Sequence, residues 1–134
     1  MTIAFSTPIR AARLNAITAE VGSLAFMRIY SGSRPTSGGT ATTLLAELVC
    51  NATFAATTSG ATLTLNAITA EDAALANGTA SWGRVVKSDG TTFCFDFTIA
   101  ASAGVGVDMV MANTSIVVSQ PVTVTSFVFT EGNA

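Results

Sequence analysis

The hydrophobic period of this chain changes at Gly22, and that change limits the fold more than any other feature of its 134 residues. Before it, Thr7 offers a cap, Pro8 occupies the first helical position where a missing N–H costs nothing, and Ile9, Ala12, Ala16 and Ile17 recur at helical spacing. One helix is predicted over about residues 8–20, behind an arm of residues 1–7. After Gly22, short apolar runs alternate with period 2 and are cut by turn residues. Strands are predicted at about 24–30, 43–50, 61–66, 79–87, 92–100, 107–111 and 122–129. Ser88-Asp89-Gly90 is a tight-turn signal that makes 79–87 and 92–100 a hairpin. A mainly β, antiparallel β-sandwich with one N-terminal α-helix follows, as a single domain over residues 8–134.

Phenylalanines mark the expected core. Phe93, Phe95 and Phe97 alternate along one face of their strand, with Cys94 and Asp96 on the other; Phe127 and Phe129 repeat the pattern near the C-terminus. Trp82 sits in an apolar run and is expected to pack inside rather than to form a sugar-stacking platform.

The polar inventory excludes most chemistry. Charged residues make up 10% of the chain, histidine is absent, and the net charge is −2 with a pI near 4.8. That leaves no basic footprint for nucleic acid and rules out Ser-His-Asp and Cys-His arrangements. Glu71-Asp72 reads as two solvated acids, and Gly104-Val105-Gly106 lacks the lysine and the context of a phosphate loop. Asp96 and Asp108 fall in strand-like segments, where outward-facing or edge-protecting charges are favoured over calcium ligation. Cys50 and Cys94 are too far apart in sequence for a metal pair; two buried free thiols and a cross-strand disulfide both fit, and a reactive nucleophile fits less well. No catalytic, cofactor-binding or metal-ligating residue is expected. Thr, Ser, Gly and Asp break every apolar run well short of the roughly 20 residues that span a bilayer, and no targeting segment is expected.

Two features bear on partners. Arg10 and Arg13 place a basic edge near the helix start, where the helix dipole disfavours it, so the pair is either simply solvated or offset by an external acidic surface. The heptapeptide Leu-Asn-Ala-Ile-Thr-Ala-Glu occurs at 14–20 and again at 65–71, in unlike flanks; it reads as a coincidence of composition in which context decides conformation.

The order of segments is similar to that of a known group. An Arg-containing helix, then Arg28-Ile29-Tyr30-Ser31-Gly32, Arg34-Pro35, Gly38-Gly39 and Leu44-Leu45-Ala46-Glu47-Leu48 resembles small virion proteins of tailed bacteriophages. The segments Gly78-Thr79-Ala80-Ser81-Trp82-Gly83-Arg84-Val85 and Asp89-Gly90, with the ending from Pro121 to Phe129, extend the resemblance over nearly the whole chain. It implies a capsid cement or decoration protein of jelly-roll type, bound in many copies outside the head and bridging subunits of the major capsid protein. The implied partners are that protein and copies of this chain, as dimer or trimer, with neither nucleic acid nor membrane. The implied location is the virion, assembled in the host cytoplasm. The residues expected to touch the shell are Ile3, Phe5, Arg10 and Arg13, with Arg34 as a weaker candidate in the loop 33–40. A receptor- or carbohydrate-binding β-sandwich of the phage tail and a fimbrial-type subunit are the competing expectations.

Overall fold

A computed structural model describes residues 3–125 and 127–131. Met1 and Thr2 of the expected arm, and Ser126 within the last expected strand, lie outside the described residues. Helix α1 spans Thr7–Val21. Ser6 enters it in an extended conformation (φ −63°, ψ 154°), its carbonyl accepting from the Arg10 N–H at 3.1 Å. Gly22 ends it at φ 78°, donating its N–H to the Thr18 carbonyl at 3.2 Å. Thr7 is therefore inside the helix rather than capping it. The buried stripe is Leu14, Ile17 and Val21, and Ile9, Ala12 and Ala16 are exposed. Helix geometry explains the correction: Ile9 lies about 140° around the axis from Leu14, whereas Leu14, Ile17 and Val21 step by three and four.

Nine strands follow among the described residues: β1 (Phe26–Ser31), β2 (Thr43–Val49), β3 (Thr62–Thr64), β4 (Gly78–Thr79), β5 (Trp82–Val86), β6 (Phe93–Ala100), β7 (Met109–Val110), β8 (Ser115–Ile116) and β9 (Val128–Thr130). The main sheet has the order β2-β1-β5-β6-β7; β3 pairs with β9, and β4 with β8, as two-stranded ribbons. Every ladder is antiparallel except β6–β7, which is parallel. The expected hairpin is present as β5–β6, with Trp82 opposite Thr98 and Val85 opposite Phe95. Its turn is tied by the Asp89 carboxylate, which accepts the N–H groups of Thr91 and Thr92, each at 2.8 Å, and the Thr92 hydroxyl. Those bonds hold the Asp89 carboxyl down at about 2. The last expected strand shrinks to β9, with Val122 further up the chain forming only an isolated bridge to Glu71.

One face of the main sheet is the core. Met27, Ile29, Ala46, Leu48, Val85, Phe97 and Ile99 pack there against Leu14 and Val21 of α1, Leu63 of β3, and Phe54 and Phe127. The covering layer is thus a helix plus a ribbon plus bridged loops. Phe97 lies over Gly83 of the neighbouring strand, where an added Cβ would come within 2.2 Å of the ring, so only glycine leaves room for it.

The opposite face is polar. Glu47, Arg28, Arg84 and Asp96 stand side by side across β2, β1, β5 and β6, so each arginine has one carboxylate neighbour. Arg28 Nε meets Glu47 Oε2 at 2.6 Å, and Arg84 holds both Asp96 oxygens at 2.7 and 3.0 Å. Asp96 is therefore not an outward charge: its side chain is 2% exposed beneath the loop 32–42, with the Gly38 N–H also donating to it. Trp82 is fully buried on this same face, stacked on Tyr30 with centroids 4.3 Å apart, its Nε1 donating to Thr42 Oγ1 at 2.9 Å.

The phenylalanine row needs one correction. Phe95 pairs with Val85 but Phe93 with Val86, so β6 carries an extra residue at Cys94. That bulge flips Phe93 to the polar face, where it is 37% exposed and lies 5.3 Å from the Arg84 guanidinium. Phe97 and Phe127 are buried as expected; Phe95 and Phe129 are half-buried, edge to face at 5.4 Å.

Candidate functional site

The two arginines of the helix start converge on one residue. Arg10 donates through Nε and Nη2 to the Glu131 carbonyl oxygen, and Arg13 Nη1 pairs with the Glu131 carboxylate at 2.6 Å. The acidic group that offsets the basic edge thus comes from the end of the same chain. Arg13 also lies over the Phe5 ring, 5.0 Å from its centroid, which fixes the base of the arm against the helix.

Beside this junction runs a groove of about 810 Å³. Arg13, Ala16, Ile17 and Glu20 of α1 form one wall, Cys94 to Phe97 of β6 another, and Phe127 to Thr130 a third. Its floor is aromatic: Phe97 and Phe127 meet edge to face at 4.9 Å, and Phe95 and Phe129 stand above them. Arg34 reaches the rim from the loop after β1. Of the five expected contact residues, Arg13 and Arg34 line the groove, Arg10 shares Glu131 with Arg13, and Phe5 lies against Arg13. Ile3 stands 51% exposed on the arm. Glu131 and the groove were not expected; their walls lie about a hundred residues apart in sequence, and no local pattern links them.

Asp108 closes one end of the β6 edge. Its Oδ2 accepts the Thr98 N–H at 2.8 Å and the Thr98 hydroxyl at 2.9 Å, a carboxylate in the place of a pairing strand. This is edge protection, as expected for Asp108.

Both thiols are free. Burial pushes the Cys50 thiol up to about 12, and burial also raises Cys94, with Lys87 pulling weakly the other way. A raised thiol is a poor nucleophile near neutral pH. Among the described residues, no three His, Cys, Asp or Glu side chains are grouped to hold a metal ion, and no helix is long and apolar enough to cross a membrane.

No family model, curated protein or solved structure matches this chain. The surface itself therefore carries the functional argument. Apart from the groove, it shows scattered exposed aliphatics, among them Val117 and Val118, and a smaller cavity of about 410 Å³ between residues 110 and 125.

Proposed function

We propose that this chain is a non-enzymatic virion structural protein, a capsid cement or decoration protein that binds the outside of a phage head and bridges subunits of the major capsid protein. Its localisation is then the virion, and its partners are the shell and other copies of itself. We read the fold as a β-sandwich of jelly-roll type whose second layer is reduced to ribbons, bridges and a helix.

The observation that carries this reading is the corner where the arm, the start of α1 and the groove meet. Ile3 is exposed, Phe5 is braced by Arg13, and an aromatic groove opens beside them on a chain with few charges to keep copies apart. Weak apolar contacts of this kind become strong when repeated on a symmetric lattice. The sugar-binding alternative loses its best platform, since Trp82 is buried under Tyr30 and Thr42.

Deleting residues 2–6 tests the reading on heads assembled without this chain. Occupancy, measured by mass spectrometry of purified particles, is expected to fall at least about tenfold. Undiminished occupancy, or no binding of the intact chain to heads, overturns it.

A further inference from the structure

The geometry points to a head-to-tail contact between copies of this chain, in which the groove of one copy receives the surface around Asp72, Leu75 and Val118 of the next, and Arg34 meets Asp72. This contact deepens the assembly reading above and rests on it. All six basic and eight acidic side chains lie among the described residues. Arg10 and Arg13 hold Glu131, Arg28 holds Glu47, Arg84 holds Asp96 and Lys87 holds Glu20. Glu71, Asp89 and Asp108 accept from backbone N–H groups. One base and one acid are left without an ion pair or hydrogen bond among the described residues, Arg34 and Asp72.

The two stand on opposite sides of the main sheet. Arg34 is at the groove, one wall of which is β6. Asp72 is in the segment 69–75 along the outer edge of β2, tied there by the Thr69 N–H to the Val49 carbonyl at 2.9 Å and the Leu75 N–H to the Leu45 carbonyl at 2.8 Å. Each charge stands beside apolar surface. The groove's own acids are engaged, Glu20 by Lys87, Asp96 by Arg84 and Asp108 by Thr98, so what it offers a visitor is the phenylalanine floor and the guanidinium of Arg34. On the far side, Leu75 is exposed three residues after Asp72. Val117 and Val118 are exposed in a segment bonded to it, the Ser119 N–H donating to the Ala74 carbonyl and the Val118 N–H to Asn77 Oδ1. Burying these aliphatics in the groove supplies the affinity; the Arg34–Asp72 pair, weak by itself in water, selects the partner and sets the direction. A contact that joins one side of a copy to the other side of the next is heterologous, and repeats from copy to copy in a ring or a row.

Charge reversal at these two exposed side chains is the test, read by sedimentation of the full chain in low salt, with circular dichroism as the check on folding. The intact chain is expected to self-associate as its concentration rises. Arg34→Asp and Asp72→Arg are each expected to weaken that association at least about tenfold. An equimolar mixture of the two variants is expected to recover it to within about threefold, because each reversed charge then meets its opposite in the alternating copy. Val118→Asp is expected to weaken association by at least about tenfold as well, through the apolar part of the contact. An intact chain that stays monomeric up to its solubility limit, single variants that associate like the intact chain, or a mixture that does not recover overturns the contact. Any of these with heads still occupied leaves the assembly reading standing; self-association of a chain that does not bind heads overturns that reading and leaves the contact.

Discussion

The sequence Leu-Asn-Ala-Ile-Thr-Ala-Glu is helical at residues 14–20 and, at residues 65–71, a non-helical segment tied by isolated bridges at Leu65, Thr69 and Glu71. In α1 its backbone bonds are local, and Leu14 and Ile17 enter the core one turn apart. In the second copy the bonds are all distant: Leu65 N–H to the Phe127 carbonyl at 3.0 Å, Thr69 N–H to Val49 at 2.9 Å, and a reciprocal pair between Glu71 and Val122. Pro8 ahead of the first copy and Gly22 behind it favour a helix that local bonds can complete. The second copy instead leaves strand β3, which the Ser59–Thr62 bridge precedes, and is held by bridges to distant segments. Helix propensity within the heptapeptide is identical, so the flanks and the partners decide.

The largest test of that comparison removes the shared anchor. Leu14 is 2% exposed and Leu65 9%, both in one core cluster. Leu14→Ala and Leu65→Ala are each expected to cost about 3–5 kcal/mol in urea unfolding, because both conformations spend the leucine the same way. A loss below about 1 kcal/mol at either site breaks the equivalence.

Proline separates what leucine does not. Ala16 and Ala67 occupy the same heptapeptide position and both are exposed. Ala16→Pro removes a helical hydrogen bond and clashes with the preceding turn, for an expected cost of about 3 kcal/mol. Ala67 lies outside helix and strand, and Ala67→Pro is expected to cost less than about half of that. Equal costs in thermal or urea denaturation would mean that the two copies do not differ as described.

Asparagine is expected to reverse sign. Asn66 Nδ2 donates to the Thr53 carbonyl at 2.8 Å, so Asn66→Ala should destabilise by about 1 kcal/mol. Asn15 is exposed mid-helix, and Asn15→Ala should stabilise by a few tenths of a kcal/mol, about the propensity difference. Two effects of the same sign in matched unfolding curves would discard this part of the comparison.

The same contrast explains what the sequence could and could not disclose. Features written in neighbouring residues were legible: Pro8 and Gly22 around α1, the Asp89-Gly90 turn, and the β5–β6 hairpin. Features made by distant partners were not. β4 and β8 are two residues each and exist only through one another, and the parallel β6–β7 contact follows no local turn. The bulge at Cys94 inverts Phe93 against an unbroken period of two. For the site, the arm and the two arginines stood out as a basic, apolar start. Glu131 and the aromatic groove did not, because the chain ends that build them meet only after folding.

The last residue of the heptapeptide gives the smallest effect and the finest test. Glu20, exposed at the end of α1, meets Lys87 Nζ at 2.9 Å, and the hydrogen bond and charge of that lysine lower its carboxyl from the ordinary value. The sign follows from linkage: a carboxyl whose folded value is depressed contributes stability above its unfolded value, and loses it as pH falls through the folded one. Lys87, raised chiefly by its hydrogen bond to Glu20, contributes below its unfolded value and loses that as pH rises through the folded one. Glu20→Gln should therefore matter between those limits and vanish in acid. Being exposed, the pair should also fade between about 0.1 and about 1 M salt. Carbon-13 titration of the Glu20 carboxyl is the direct measurement, with the value expected to rise in Lys87→Met and in high salt. A Glu20 titration unmoved by both changes would show that the helical copy ends in solvent, held by its backbone and Gly22 alone.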